Sequence, residues 1–216
     1  MSEKKEKKKM KLWKKIVIGI VIVLVILLIA AYLIIRNMFS QPDIEAAKGT
    51  DETIVETDKG EIMGSLEDGV YQYLGIPYAV AKERFTLAEE VEPWDGVFEA
   101  TKVGAMSPQS GMLGMSAGSQ DGTDNNCQNL NIWTPGIGDG QKRAVMVWLH
   151  GGGFSTGTAN SEQYNGKDLS KSGDVVVVSV NHRLGASGFL DLSAYGEKYQ
   201  ACELCSRGQE PAGVVY

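Results

Sequence analysis

His150-Gly151-Gly152-Gly153-Phe154 is the stretch whose residue types are best suited to chemistry, and it directly follows the apolar run Val145-Met146-Val147-Trp148-Leu149. The run predicts a buried strand and the glycines a turn leaving its end, the place where an open α/β sheet puts its ligand-binding groups. Glycine has no Cβ, so the backbone there can take positive φ and turn N–H groups outward. Two such groups make an anion hole. Donors preorganised where negative charge develops on a carbonyl oxygen lower an acyl-transfer barrier by about 3 kcal/mol each. His150 opens this turn and reads as an ordinary hydrogen-bonded histidine.

An attacking group is a separate requirement. Gly114-Met115-Ser116-Ala117-Gly118 matches G-x-S-x-G. That motif works when a strand delivers the serine to a strained turn and a helix leads the chain away. Gly111-Met112-Leu113 before Ser116 and Ser119-Gln120-Asp121-Gly122 after it supply neither, so Ser116 is rejected as a nucleophile. The histidines number two, and His182, like His150, comes directly after a strand and reads as structural. An anion hole without an activated hydroxyl gives only a small residual acceleration. Arg183 after its strand is expected to pair with a carboxylate, and Trp94, Trp133 and Trp148 to pack.

Several elements must position this turn. Thr53-Ile54-Val55-Glu56-Thr57 and Glu61-Ile62-Met63-Gly64 around Asp58-Lys59-Gly60 predict a β-hairpin. Val70 to Leu74 predicts a strand ended by Gly75-Ile76-Pro77, and Asn129 to Thr134 another, stopped by Pro135-Gly136. Glu90 to Gly96 reads as a surface loop and Gly104 to Asn126 as a long one, of the kind that lines a site or lacks order. Arg143 to Leu149 is the buried strand, Gln163 to Ser172 has room for a short helix, and Asp174 to Val180 is a second apolar strand of the type covered on both faces in parallel sheets. Val175 to Val180 is expected to leave an apolar edge open, which invites aggregation and makes the segment unstable.

Charge is unevenly distributed over the 216 residues. Residues 1–15 hold eight Lys against Glu3 and Glu6, a balance of +6, so the remainder carries −12 of the overall −6. An acidic main body argues against a nucleic-acid partner. The basic end flanks Ile16 to Ile35, 20 uncharged residues that as a helix reach about 30 Å, the thickness of a bilayer core. Trp13 and Tyr32 lie near its ends, where amphipathic rings favour the interface. The run is longer than a signal peptide's apolar core and no clean small-residue cleavage site follows, so an uncleaved anchor is expected in preference to a cleaved signal. Lysines on the N-terminal side leave the N-terminus in the cytoplasm and the rest of the chain outside.

Tyr73-Leu74-Gly75-Ile76-Pro77-Tyr78-Ala79, Glu83-Arg84-Phe85, Pro93-Trp94-Asp95-Gly96, Ser107-Pro108-Gln109, Cys127, Leu130-Asn131-Ile132-Trp133-Thr134-Pro135, the glycine turn, Asn181-His182-Arg183-Leu184-Gly185 and Gly188-Phe189-Leu190 follow one another in order. By these motifs residues Thr53 to about Tyr199 resemble the type-B carboxylesterases and cholinesterase-like proteins of the α/β-hydrolase fold. The resemblance implies an α/β architecture, the N-terminal portion of an α/β-hydrolase sheet preceded by a single transmembrane helix. It implies the N–H groups of Gly152 and Gly153 as two of three oxyanion donors. Asp124-Asn125-Asn126 stands where the family reads Ser-Glu-Asp, which predicts that the loop loses an acidic tie. The family's G-E-S-A-G elbow, late acid and late base have no counterpart in this sequence, and residues 200–216 resemble nothing expected there.

The expected organisation is a basic cytoplasmic tail (1–15), a membrane anchor (16–35), a tether (36–52), the hydrolase portion (53–199) and an atypical tail (200–216). Cys202-Glu203-Leu204-Cys205 is a lone C-x-x-C pair with no second pair for zinc and no following helix for redox work, so it reads as incidental. Cys127 has no earlier cysteine to bond with. No cofactor and no metal is expected. Function is expected to be hydrolysis of small carboxylic esters through an acyl-enzyme by the family's full-length members, with the lipid bilayer as the other partner and this chain inactive alone. The alternatives are a non-catalytic cholinesterase-like adhesion or binding protein at the cell surface, and a vestigial frame-shifted product.

Overall fold

The computed structural model describes residues 2–39, 42–45, 47–109, 122–196 and 199, and these fall into two units divided after Ser40. The first unit is one helix, α1 (Ser2–Phe39). Its stretch Trp13–Ile35, 23 residues, is long and apolar enough to cross a membrane by length and composition, and its side chains are exposed.

The second unit is built from strands β1 (Ile54–Thr57), β2 (Gly60–Met63), β3 (Ser65–Glu67), β4 (Val70–Pro77), β5 (Val97–Glu99), β6 (Asn129–Thr134), β7 (Val145–Leu149) and β8 (Val176–Val180). Two short helices accompany them, α2 (Lys167–Gly173) and α3 (Gly185–Phe189). The expected hairpin is β1–β2, paired Ile54 to Met63 through Thr57 to Gly60, with β5 added parallel to β2. The larger sheet has the order β3-β4-β6-β8-β7. Its first pairings are antiparallel and the last, β7 on β8, is parallel.

Alternation along β4 and β6 divides the core between the two faces of this sheet. Leu74 and Trp133 point to one face, where they join Ile44, Val70 and Val177. Trp133 is fully buried there, and its indole N–H donates to Gln72 Oε1 at 3.0 Å, so the ring's one polar atom is satisfied. Helix α2 packs across β4, β6 and β8. On the opposite face Tyr73 and Ile132 meet Ile62 and Ala100 of the three-stranded sheet. Within the stretch read as a tether, Ile44 is part of the core and its N–H donates to the Asn160 carbonyl at 2.7 Å.

Three strand expectations need correction. β4 does not end at Gly75 but runs to Pro77 over an irregularity in pairing between Tyr73 and Ile76. β8 is not at an open edge, since β6 and β7 pair on either side of it. β7 is the edge, and it is not buried: Val145, Met146, Val147, Trp148 and Leu149 are 41–66% exposed. An apolar run shows that both faces of a strand suit a dry environment; it does not show which neighbours provide one. The long loop lies partly outside the described residues, and its described ends are held by a bridge between Met106 and Thr123.

Tyr73 carries a titratable group into this core. Its hydroxyl donates to the Thr53 carbonyl at 2.7 Å, and burial pushes its pKa up to about 12. The native state therefore keeps this proton over a range where the unfolded chain, at about 10, gives it up. Stability is fully present below pH 10 and falls as pH rises towards 12. Urea titrations of the detergent-solubilised chain across that range should show a loss in the wild type that Tyr73→Phe lacks; an equal loss in both chains would contradict the assignment.

Candidate active site

The site is set by where two parallel strands stop. Leu149 is in register with Val180, so β7 and β8 release the chain at the same level, and the turns after them lie side by side. At the other end of the pair Arg143 donates from Nε to Asp174 Oδ1 at 2.7 Å and from Nη2 to Asp139 Oδ2 at 2.8 Å, which pins the starts of both strands.

After Leu149 the chain turns sharply. Gly152 has φ +128, Gly153 +60 and Phe154 +61. The N–H groups of Ser155 and Thr156 both donate to the Gly152 carbonyl at 3.1 Å, closing the turn on itself. A Cβ on Gly152 would lie 1.7 Å from the Thr156 carbonyl oxygen, so no other residue fits this backbone. No acceptor among the described residues takes the N–H of Gly152 or Gly153. The turn therefore holds two donors that its own folding does not consume.

Neighbouring groups fix the turn from three directions. Gly185, at the start of α3, donates its N–H to the Phe154 carbonyl at 2.7 Å, and the Phe154 ring meets Phe189 edge-on with centroids 5.0 Å apart. Gln109 clamps Gly157 through both amide atoms: Nε2 donates to the Gly157 carbonyl at 2.8 Å and Oε1 accepts its N–H at 2.7 Å. At Gly157, φ +117, a Cβ would lie 2.4 Å from His150 Nδ1, so the imidazole fills the space that a side chain would need.

His150 is 8% exposed, with Nδ1 2.9 Å from the Gly151 carbonyl; that contact makes Nδ1 the protonated nitrogen. Its ring stacks on His182, centroids 4.6 Å apart and planes 14° from parallel. Burial lowers the pKa of both imidazoles, and the proximity of His182 lowers that of His150 further. The two rings are therefore a neutral stacked pair at pH 7, behind the donor turn. Their hydrogen bonds go to main-chain carbonyls, of Gly151 and Val180. The stacking itself was not visible in the sequence, since residues 32 apart in a chain share no local pattern.

A buried amide network underlies these turns and was also missed. Asn181 uses its whole side chain: Oδ1 accepts from Thr158 Oγ1 at 3.1 Å and Ala159 N at 2.8 Å, and Nδ2 donates to Asn129 Oδ1 at 3.0 Å and Asn160 Oδ1 at 2.7 Å. Asn160 passes the link on to the Gly104 carbonyl at 2.7 Å, and Asn131 accepts from Gly75 N at 2.9 Å and donates to Ser179 Oγ at 3.2 Å. The available signal was the polar Asn129 and Asn131 in an otherwise apolar strand.

The remaining candidates are placed as follows. Arg183 is buried and donates to the Thr86 carbonyl at 2.7 Å, a main-chain partner in addition to any carboxylate. The loop at Asp124-Asn125-Asn126 keeps a tie after all, because Asn126 Oδ1 accepts the Ala81 N–H at 3.0 Å. Cys127 is fully buried. Ser116, Cys202 and Cys205 lie outside the described residues. Among the described residues no group of three or more His, Cys, Asp or Glu is placed to hold a metal.

With this geometry in view, the comparison with known proteins is specific: the profile of the carboxylesterase family matches residues 51–198. The chain belongs to the carboxylesterase family. Para-nitrobenzyl esterase of Bacillus subtilis is 39% identical over 150 residues, 68% of this chain and 30% of that protein. Phenmedipham hydrolase of Pseudarthrobacter oxydans is 40% identical over 146 residues, covering 63% of this chain and 29% of that one. Among solved structures, an esterase of Clostridium hathewayi that hydrolyses aliphatic aromatic polyesters superposes with a TM-score of 0.64 at 39% identity, over 75% of this chain and 33% of that one. This carboxylesterase-family chain thus has an α/β-hydrolase fold and spans about a third of the length of the relatives it matches.

The neutral histidine pair gives this carboxylesterase-family site a pH signature. Both folded-state pKa values lie below the unfolded value of about 6.5, so their contribution to stability is present above pH 6.5 and is lost as pH falls through and below it. Near-UV circular dichroism during urea unfolding should show the midpoint dropping between about pH 7 and 5. The double variant His150→Gln/His182→Phe should remove that drop; a wild-type midpoint that stays level would contradict the buried neutral pair.

Proposed function

We propose that this chain is the oxyanion-binding N-terminal part of a membrane-anchored carboxylic ester hydrolase that works through a serine acyl-enzyme. The observation that carries the reading is the turn at the end of β7, whose Gly152 and Gly153 N–H groups stand without an internal acceptor where the family's resemblance puts the oxyanion donors. Such donors act on the charge that develops as a carbonyl becomes tetrahedral, and they need no reorganisation when it does. His150 and His182 serve the turn as packing, and neither is a base. No nucleophile, acid or base is assigned among the described residues, so the chain by itself is expected to be inactive.

The anchor reading is supported by α1, whose Trp13–Ile35 portion has the length and composition of a span, and by the lysines ahead of it, which by the positive-inside rule favour a cytoplasmic N-terminus with the hydrolase portion outside. Small carboxylic esters are the substrate class. The names of the relatives support this, since one is an esterase and another a hydrolase.

The experiment is a chimera in which residues 51–198 replace the matching segment of the Bacillus subtilis para-nitrobenzyl esterase. It should hydrolyse a para-nitrophenyl ester, while the 216-residue chain alone stays at the buffer rate. Gly152→Ala in the chimera keeps the N–H but sets a Cβ against the Thr156 carbonyl oxygen, so the turn must move and kcat should fall by about 10²–10³-fold, the usual effect of an oxyanion donor taken out of place. A folded chimera without turnover, or a Gly152→Ala chimera at full rate, would sink the proposal.

A further inference from the structure

The peptide joining Gly151 to Gly152 carries two groups of the turn: its N–H is the Gly152 donor and its carbonyl is that of Gly151. The peptide is trans, so these groups point in opposite directions and fixing one fixes the other. Neither flanking residue has a Cβ, so a flip of the plane meets no side chain on either of them. The next peptide is secured, since the Gly152 carbonyl accepts from Ser155 N and Thr156 N at 3.1 Å. The plane before it needs a holder of its own.

His150 is placed to be that holder. Its Nδ1 lies 2.9 Å from the Gly151 carbonyl oxygen, and among the described residues no main-chain N–H reaches that oxygen. The carbonyl therefore faces the buried imidazole, while the Gly152 N–H faces away from it in a turn whose glycines are exposed. Gly157 leaves room for this bond: a Cβ there would stand 2.3 Å from the Gly151 oxygen and 2.4 Å from Nδ1, against both partners at once. The ring is held in its turn. His182 stacks on it, bonds to the Val180 carbonyl, and meets the Phe189 ring edge to face with centroids 6.4 Å apart.

We infer that His150 is a positioning residue whose Nδ1–H, through the Gly151 carbonyl, aims the Gly152 N–H outward, and that His182 keeps the imidazole at the angle where it does so. The role goes beyond packing, because an apolar ring of similar outline would fill the space and hold nothing. It deepens the ester-hydrolase reading and rests on it for the use made of the donor. A donor already aimed needs no turning when charge develops on an ester's carbonyl oxygen, and a misaimed one loses that advantage. The arrangement requires the tautomer with hydrogen on Nδ1 and none on Nε2.

The test uses the full chain in detergent micelles at about pH 8, above the ordinary imidazole range. Imidazole nitrogen-15 shifts of His150 should be of the protonated, pyrrole type at Nδ1 and of the bare, pyridine type at Nε2. Residual dipolar couplings read the direction of the Gly152 N–H, and relaxation reads its order. His150→Phe, which keeps a ring to stack on His182, should change that direction or drop the order parameter from about 0.85 to below about 0.6, while the Val147 amide in β7 stays rigid. His150→Asn puts an amide nitrogen where Nδ1 stood and should restore most of the wild-type values. His182→Ala should loosen the Gly152 amide, and His182→Phe should not. In the chimera with the Bacillus subtilis esterase, His150→Phe should lower kcat by about tenfold or more with KM unchanged, and His150→Asn should recover most of the loss. A His150 protonated at Nε2, a folded His150→Phe chain whose Gly152 N–H keeps its direction and order, or an Asn variant as altered as the Phe one overturns the inference, and an unaffected His182→Ala chain overturns its second half. A Gly152→Ala chimera at full rate beside the expected amide results overturns the ester-hydrolase reading and leaves the aiming by His150 standing.

Discussion

The parallel register of β7 on β8 is the constraint from which the site follows. Leu149 opposite Val180 ends both strands at one level, so His150 and His182 leave the sheet as neighbours and their rings stack. A shift of one residue would send alternate side chains to the other face and separate the rings. The same register lets the Gly185 N–H reach the Phe154 carbonyl. Arg143, bonded to Asp174 and Asp139 at the strands' other end, holds the register from outside the core.

Beneath the turns, the interior is polar where loops must be held and apolar where sheets must pack. Asn181, Asn160, Asn131 and Asn129 are buried, and each bonds to strand or loop groups that would otherwise be stranded away from water. An unmet buried amide costs about 1–3 kcal/mol, so such a network is stable only when its members sit in one arrangement. That requirement gives the loops at Gly104 and at Thr158–Asn160 a fixed position. The Gln109 clamp on Gly157 carries the same fixity to the far side of the glycine turn. The hydrophobic clusters around Trp133 and Tyr73 hold the sheets, and the amides hold what the sheets carry.

Much of this was legible in the sequence because it is local. The β1–β2 hairpin, the strands β6 and β8, the short α2 and the glycine turn each have a signal within a few residues, and the ordered motifs from Tyr73 to Leu190 carried the family. What was not legible depends on neighbours distant in sequence. The run Val145 to Leu149 predicted a strand but not its place at the edge, and Val176 to Val180 predicted a strand but not its place between two others. The matched relatives extend well beyond the segment shared with this chain, which covers 30% of the Bacillus subtilis esterase. Stacking of His150 on His182 and clamping of Gly157 by Gln109 are likewise long-range, and neither residue pair carries a spacing that announces it.

The chemical claim comes down to whether a tight turn presents two N–H groups in a fixed direction. Positive φ at Gly152 and Gly153, the two bonds onto the Gly152 carbonyl and the histidine packed behind the turn all restrict its motion. Nitrogen-15 relaxation of the Gly152 and Gly153 amides in the full chain is the most direct measurement. Order parameters of about 0.85, the level of rigid backbone, are what a preorganised anion hole requires, and values below about 0.6 would contradict it.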